Sequence, residues 1–283
     1  MTRYLVTGAA GMLGQDLQRA LSGREVTALS RADLDITDRA AVSDAVAGHD
    51  VVINAAAWTG VDDAESHEDA AAAVNAYGPE VLATAVAATG ARLVQVSTDY
   101  VFDGTGTHPY AEDEPTRPLG AYGRTKAAGE AAVRSIAPET SYVVRTAWLY
   151  GAGGPNFAKT MVRLAASHDT VSVVTDQVGQ PTWTADLADQ VVAMLDADAP
   201  AGIYHGTNGG RGSWFDFTRA IFAEVGLDPE RVLPTDSSAF VRPAPRPAFS
   251  VLGHDGWRRA GLAPMRDWRD ALRAAAAAGV LTA

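Results

Sequence analysis

The sequence predicts an α/β fold, in which a doubly wound parallel sheet is joined to a smaller C-terminal lobe. Up to about residue 146, short β-branched runs alternate with longer Ala-rich stretches, as expected of right-handed βαβ units. A glycine-rich turn joins the first short run to the first long one. Beyond Gly151 the helical stretches are separated by loops rich in Pro, Gly and Trp. We therefore expect one unit over residues 1–150 and a smaller, partly interwoven one over residues 151–283.

The individual elements follow from these runs. Strands are expected at residues 4–7, 25–29, 51–53, 92–97 and 142–146, with two further strands at 171–174 and 202–205. Helices are expected at residues 12–21, 40–47, 68–76, 79–89 and 122–137, and in the second unit at 156–167, 185–195, 214–225 and 267–278. No regular element is predicted for residues 237–247, which contain three prolines.

Length, composition and charge exclude several classes of protein. A chain of 283 residues with 47% hydrophobic and 20% charged residues can bury a substantial core. No stretch approaches the roughly 20 apolar residues of a membrane-spanning helix, and the N-terminal residues enter a strand instead of a signal peptide, so a cytoplasmic protein without membrane contact is expected. The absence of cysteine excludes disulfides and thiolate chemistry. A net charge of -11 repels nucleic-acid phosphates, so no nucleic-acid partner is expected.

The glycine-rich turn has the features of a dinucleotide-binding site. Gly8 permits a tight turn after the first strand, Gly11 lets the backbone approach a pyrophosphate, and Gly14 lets the helix pack closely on the strand. Met12 and Leu13 begin the helix, where backbone N–H groups attract phosphate. Three glycines alone are weak evidence in a chain that has 27, and the position at the first strand-to-helix junction is what favours a dinucleotide.

Three polar side chains further along the chain point to carbonyl chemistry. Thr98 ends the fourth predicted strand, and Tyr122 and Lys126 are four residues apart on the following helix, so they share a face. A lysine ammonium near a phenol lowers the phenol's pKa from its ordinary value of about 10, which helps proton transfer. A Tyr-x-x-x-Lys pair by itself is usually a solvated helix face. In this order after the glycine turn, it predicts reduction of a carbonyl group with Tyr122 as the proton donor.

Longer motifs carry a family resemblance, at residues 56–65, 96–104, 144–151, 176–182, 204–208, 246–247 and 250–252. Together with the two-residue spacing between the glycines, they resemble the extended short-chain dehydrogenase/reductase family, and within it the reductases of dTDP-4-keto sugars. The resemblance implies a Rossmann-type fold and an enzyme that is a monomer or homodimer. It also implies NADPH-dependent reduction of the 4-keto group of a dTDP-sugar substrate, dTDP-4-dehydro-L-rhamnose, to give dTDP-L-rhamnose.

The resemblance implies which residues hold the cofactor. In this family a carboxylate just past the second strand bonds the ribose 2′-hydroxyl, whereas an arginine pairs with a 2′-phosphate. Arg31 stands there and favours NADPH; a solvated surface arginine is the alternative, and NADH stays open as a second cofactor. Asp35 and Ile36 match the pair that contacts adenine, with helix capping by Thr37 or Asp38 as the alternative. The implied cofactor-binding residues are Gly8, Gly11, Met12, Leu13, Gly14, Arg31, Asp35, Ile36, Ala55, Ala56, Ala57, Tyr122 and Lys126.

The resemblance also implies a sugar pocket. Trp148 offers a flat apolar face to the C–H side of a pyranose, with a core tryptophan as the alternative. Arg246 is a candidate ligand of the diphosphate, with a surface salt bridge as the alternative. Where some members of the family bind a metal at a dimer interface through acidic residues, this chain has Gln15, so no metal is predicted. The implied substrate-binding residues are Thr59, Val61, Thr98, Asp99, Tyr100, Tyr122, Trp148 and Arg246.

Residues of the same motifs argue against two other activities of this family. Dehydratases of this family carry Asp-Glu directly after the threonine, whereas this chain has Asp99 and Tyr100 and lacks that base. Epimerases retain NAD, and Arg31 argues against that cofactor. Two alternatives stay open: another dTDP-4-keto-deoxysugar ketoreductase, and a non-catalytic NADP-binding regulatory subunit.

Overall fold

Strands from both halves of the chain contribute to the fold. A computed structural model describes residues 1–282, and the strands over these residues are β1 (Arg3–Thr7), β2 (Glu25–Leu29), β3 (Val51–Asn54), β4 (Arg92–Thr98), β5 (Ser141–Thr146), β6 (Leu149–Tyr150), β7 (Val171–Val174), β8 (Val178–Gly179), β9 (Thr182–Trp183), β10 (Gly202–His205), β11 (Gly212–Ser213) and β12 (Val232–Thr235). Six of them form one parallel sheet in the order β10-β5-β4-β3-β1-β2. The predicted α/β fold with a doubly wound parallel sheet is confirmed.

The helices cover both faces of this sheet. Over residues 1–282 they are α1 (Met12–Ala20), α2 (Arg39–Val46), α3 (Val61–Ala64), α4 (Glu68–Ala72), α5 (Gly78–Thr89), α6 (Ala121–Ile136), α7 (Phe157–Ala165), α8 (Thr184–Asp196), α9 (Trp214–Glu224), α10 (Asp255–Arg259) and α11 (Trp268–Ala277). Every residue of β3 and β5 is buried, as expected of central strands with helices on both sides. None of the helices formed by residues 1–282 combines the length and the apolar character needed to cross a membrane.

The three largest hydrophobic clusters pack the two faces of the sheet and the C-terminal half. One face of the sheet packs on α1 and α8, with Leu17 and Val191 in the cluster, and the other face packs on α2, α5 and α6. A third cluster around Phe217 and Trp268 belongs to the C-terminal half. Because β10 lies in the central sheet and α8 packs on α1, the C-terminal half is joined to the first half through a shared core. The boundary between residues 150 and 151 stays a prediction.

Most predicted elements are found within two residues of their expected ends, and the main difference is in residues 68–77. A single helix was expected at residues 68–76, but α4 ends at Ala72 and is followed by a π-helical turn, Ala73–Tyr77. Asn75 lies inside this turn and is buried against another segment of the chain. Strand β12, which pairs with β7, and a short 3₁₀ turn at Ser237–Ala239 were also not predicted.

Candidate active site

The candidate site lies at the carboxyl edge of the central sheet. Gly8 follows β1, Ala55 follows β3, and Thr98 ends β4. Parallel strands bring these ends to one edge, which is where open α/β sheets bind their ligands. The site is therefore assembled from positions that are far apart in the chain but adjacent in the sheet order.

The glycine turn is shaped by close backbone contacts. Gly8 has a left-handed φ of +68°, and a Cβ on it would lie 2.6 Å from the backbone nitrogen of Ala56. A Cβ on Gly14 would lie 2.3 Å from the Gly8 carbonyl oxygen. These contacts agree with the tight turn expected of Gly8 and the close packing expected of Gly14. No side chain therefore fits at Gly8 or Gly14 in this turn.

The start of α1 can accept a phosphate. Gly11 is the N-cap, and across residues 1–282 no side chain caps this helix and no acidic residue occupies its first turn. The backbone N–H groups at its N-terminus and the helix dipole therefore favour an anion. Leu13 is buried, so it would contact a phosphate through its backbone. The residues present fit the diphosphate of a dinucleotide.

The end of β2 presents one arginine to solvent. Arg31 is exposed two residues past β2, and it helps lower the pKa of Asp35, after the larger effect of the hydrogen bonds from Thr37 to that carboxylate. Asp38 caps α2 through the backbone N–H groups of two alanines. The Ile36 side chain packs in the core against Gly78. Helix capping by Thr37 or Asp38 was the alternative weighed from the sequence, and it is Asp38 that caps α2.

A polar network beneath the site was missed by the sequence analysis. The Thr7 hydroxyl donates to Asn54 Oδ1 at 2.6 Å, and Asn54 Nδ2 donates to Gln95 Oε1 at 2.8 Å. Asn54 Oδ1 also accepts from the backbone N–H of Ala56 at 3.1 Å, which fixes the turn formed by residues 55–57. All three side chains are buried. Thr7 and Asn54 are the last residues of β1 and β3, and Gln95 lies within β4 in register with Asn54.

The structure brings Thr98 and Tyr122 together. Thr98 ends β4 and caps the 3₁₀ turn Asp99–Val101, where its hydroxyl accepts the backbone N–H of Tyr100 at 3.2 Å and donates to Asp99 Oδ1 at 3.0 Å. Tyr122 lies in the first turn of α6, and its ring meets that of Tyr100 edge-on with centroids 5.7 Å apart. The Thr98 hydroxyl interacts with the Tyr122 phenol, and this interaction lowers the pKa of Tyr122.

The net pKa of Tyr122 differs from the sequence-based expectation. Burial raises the pKa of Tyr122 to about 12, which outweighs the opposing effect of Thr98, and Asp99 raises it further. The expected lowering by Lys126 is not found, because Lys126 Nζ donates to the Val96 carbonyl at 2.6 Å. At neutral pH the phenol therefore keeps its proton, as a proton donor requires.

Lys126 is buried on the same face of α6 as Tyr122, as the spacing predicted. Burial lowers the pKa of Lys126 to about 8, while Glu130 acts in the opposite direction. Lys126 is thus buried beneath the site, and its ammonium has a pKa of about 8, close to neutral pH.

Asn75 is a positioning residue that the sequence analysis did not identify. Its Oδ1 accepts the backbone N–H of Trp58 at 2.8 Å, and its Nδ2 donates to the Trp58 carbonyl at 3.0 Å and to Thr125 Oγ1 at 3.2 Å. Thr125 in turn donates to the Tyr122 carbonyl at 2.9 Å. Asn75 therefore joins the loop before Thr59 to the helical turn that carries Tyr122. In the sequence, Asn75 is marked only by being a single amide side chain in an Ala-rich stretch.

Asp99 and Tyr100 lie close to the phenol of Tyr122. Asp99 is 2% exposed, and burial raises its pKa to about 6. Its Oδ2 is buried without a hydrogen-bond partner among residues 1–282. Burial and the neighbouring Asp99 also raise the pKa of Tyr100. Both side chains are therefore poorly solvated beside Thr98.

Trp148 lies in an aromatic stack. Its ring is parallel to that of Trp214, with centroids 3.5 Å apart and 8° between the planes. A Cβ on Gly179 would lie 2.6 Å from the Trp148 ring, so the ring needs a glycine there. The Trp148 backbone has a left-handed φ of +47°, an uncommon conformation for a bulky residue. Trp148 thus packs at the border of the third cluster while remaining partly exposed.

Arg246 forms the salt bridge weighed as an alternative from the sequence. Its Nη2 lies 2.9 Å from Asp62 Oδ1, and Arg242 approaches the other oxygen of the same carboxylate at 3.9 Å. Arg246 lowers the pKa of Tyr100 and Asp62 raises it, so the pair lies beside the site. Of the neighbouring substrate candidates, Thr59 is exposed and Val61 is partly buried.

Gln15, at the position of the family's acidic metal ligand, donates to the Ala10 carbonyl at 2.9 Å. The prediction that this chain binds no metal there stays a prediction.

Known proteins share the sequence and fold of this chain. The family model of the RmlD substrate binding domain matches residues 2–280. The chain is 58% identical to the dTDP-4-dehydrorhamnose reductase of Streptomyces griseus, over 95% of this chain and 91% of that protein. It is 52% identical to the probable dTDP-4,6-dihydroxy-2-methyloxan-3-one 4-ketoreductase of Streptomyces antibioticus, over 96% and 94% of the two chains. The crystal structure of the dTDP-4-dehydrorhamnose reductase of Bacillus anthracis, in complex with NADP, has a TM-score of 0.93 at 37% identity and covers 97% of this chain and 99% of its own.

Proposed function

Since the chain belongs to the RmlD substrate binding domain family, we propose that it reduces the 4-keto group of dTDP-4-dehydro-L-rhamnose to give dTDP-L-rhamnose, using NADPH. The observation that carries this proposal is the meeting of Thr98 and a protonated Tyr122 at the carboxyl edge of the sheet, with Lys126 buried on the same helix face. A reductase needs a group that gives up a proton as the carbonyl becomes an alkoxide, and Tyr122 is in that state at neutral pH.

Thr98, Tyr122 and Lys126 have different roles in the proposed mechanism. The hydroxyls of Thr98 and Tyr122 hold the carbonyl oxygen, and Tyr122 then transfers its proton to that oxygen. Lys126 would hold the ribose next to the nicotinamide through its ammonium. NADPH, when bound, supplies the hydride. The first turn of α1 and residues 55–57 would hold the diphosphate and ribose of the cofactor.

The sugar nucleotide is proposed to lie between the two halves of the chain. Thr59, Val61, Asp99, Tyr100 and Trp148 would contact the sugar. Arg246 would exchange Asp62 for the diphosphate of the substrate, because the two phosphates together carry two negative charges and the carboxylate carries one. Residues 151–283 would form the substrate-binding lobe. A cytoplasmic location and a monomeric or homodimeric state belong to the same proposal.

A second candidate is reduction of a different dTDP-4-keto-deoxysugar, which is favoured by the 4-ketoreductase relative at 52% identity. We expect NADPH oxidation with dTDP-4-dehydro-L-rhamnose to exceed that with dTDP-4-keto-6-deoxy-D-glucose in kcat/KM, with dTDP-L-rhamnose identified as the product by NMR. The reverse order of kcat/KM would support the second candidate. Absence of turnover with both sugars, together with tight binding of NADPH, would support the non-catalytic regulatory subunit.

Arg31→Ala tests the choice of cofactor. If the exposed guanidinium pairs with the 2′-phosphate, its loss raises the dissociation constant of NADPH roughly 10-fold and leaves that of NADH unchanged. Fluorescence titration with each nucleotide measures both constants. Arg39→Ala is the matched control, because Arg39 is already engaged by Tyr77 and Glu80. Equal weakening of NADPH and NADH by Arg31→Ala would show that Arg31 is not a ligand of the 2′-phosphate.

A further inference from the structure

Glu130 lies one helical turn beyond Lys126 and forms a buried ion pair with Arg145. The proposed mechanism does not use this pair. Glu130 is 5% exposed and Arg145 is 2% exposed. Arg145 Nη2 donates to Glu130 Oε2 at 2.8 Å, and Arg145 Nε donates to Glu130 Oε1 at 3.0 Å. Replacing such a pair by apolar residues is often neutral or stabilising, so stability of the fold alone does not explain why it is buried here.

The pair is placed to act on the catalytic lysine. Lys126 and Glu130 are four residues apart on α6, so their side chains are neighbours on one buried face. Arg145 lies on β5 in register with Ser97, the residue before Thr98 on β4. The Val96 carbonyl accepts from Lys126 Nζ but carries only a partial charge, and it cannot balance a buried ammonium.

We propose that Glu130 is a positioning residue for the reaction: its carboxylate, fixed by Arg145, keeps the buried ammonium of Lys126 charged. This inference rests on the proposed function only for the role of Lys126. Arg145 prevents Glu130 from turning toward Lys126 or taking up its proton, because both carboxylate oxygens are held by the guanidinium.

The other charged groups around Lys126 do not supply this counter-charge. On β4 and the turn after it, Thr98 is neutral and the Asp99 carboxylate acts on Tyr122. On β5, Arg145 is itself positive and also donates to the Glu112 carbonyl. His205 lies 3.4 Å from Arg145, and burial and Arg145 hold its pKa well below the usual range, so it is neutral. Glu130 opposes the lowering of the Lys126 pKa by burial.

The composition of the chain makes a direct test feasible. Lys126 and Lys159 are the only two lysines in the sequence, so lysine labelled with ¹³C at Cε gives two signals. Lys159→Arg assigns them. In the parent protein the Lys126 signal is expected to titrate near pH 8, and in Glu130→Gln its midpoint should fall by about one pH unit. The Lys159 signal should be unchanged between the two proteins, and so should both signals in the control Glu139→Gln, which alters an exposed carboxylate just past the end of α6.

The alkaline limb of kcat/KM should move to lower pH by the same amount in Glu130→Gln. If Glu130→Gln fails to fold, the double variant Glu130→Gln/Arg145→Met removes both charges, and the Lys126 midpoint should still fall, by less than in Glu130→Gln because the positive charge of Arg145 is lost as well. A Lys126 midpoint equal to that of the parent protein, in whichever of these variants folds, would overturn the proposal and leave the pair with a structural role. The titration needs neither sugar nor cofactor, so failure of the parent protein to reduce a dTDP-4-keto sugar would count against the proposed function alone.

Discussion

Tyr122→Phe is expected to lower kcat by about 10²–10⁴-fold, because it removes the proton donor and one of the two hydroxyls that hold the carbonyl oxygen. The ring itself should remain in place, since its edge-on contact with Tyr100 does not involve the hydroxyl. The dissociation constant of NADPH should therefore change little. Steady-state reduction of dTDP-4-dehydro-L-rhamnose and fluorescence titration with NADPH measure the two quantities.

Tyr77→Phe is the matched control for this variant. Its hydroxyl accepts from Arg39 on the surface, away from the site, so the same chemical change should leave kcat unaltered. Turnover by Tyr122→Phe within a factor of about two of the parent protein would remove Tyr122 from the mechanism. A selective loss of NADPH binding would instead assign Tyr122 to the cofactor.

The fold could be predicted because it depends on local patterns. The strand at residues 25–29 was predicted with its observed ends, since β-branched residues and flanking turns mark it within a few positions. The π-helical turn at Ala73–Tyr77 could not be predicted in this way. Its buried residue Asn75 bonds Trp58 and Thr125, which are 17 and 50 positions away, and a helical period contains no information on such partners.

The same limit applies to the candidate site. The order of Gly8, Thr98 and Tyr122 along the chain is enough to predict that they meet at one edge of a parallel sheet. The pKa of Tyr122 could not be predicted, because its direction depends on how deeply the phenol is buried and on where Lys126 Nζ is bonded. Likewise, the bond between Arg246 and Asp62 joins residues 184 positions apart.

The second large effect concerns Lys126, whose pKa also bears on stability. Burial lowers the pKa of Lys126 to about 8, below the ordinary value for lysine, so the folded protein binds this proton more weakly than the unfolded chain does. The resulting loss of stability is fully present below pH 8. It shrinks as pH rises from about 8 towards about 10.4, where the unfolded chain also loses the proton. At pH 7 its size is about 3 kcal/mol, which equals or exceeds the about 1.5–3 kcal/mol lost with the hydrogen bond from the ammonium to Val96.

Lys126→Met is therefore expected to separate activity from stability. Without the ammonium, kcat/KM should fall at least about 10²-fold and NADPH should bind more weakly, because the nicotinamide ribose loses the charged partner that positions it. The thermal midpoint at pH 7 should nevertheless be equal to or a few degrees above that of the parent protein, since the methionine fills the buried space of the lysine stem without a charge. Calorimetry at pH 7 and pH 9 should show this difference narrowing at the higher pH. A variant that loses activity together with several degrees of thermal stability at pH 7 would mean that Lys126 serves the fold and not the chemistry.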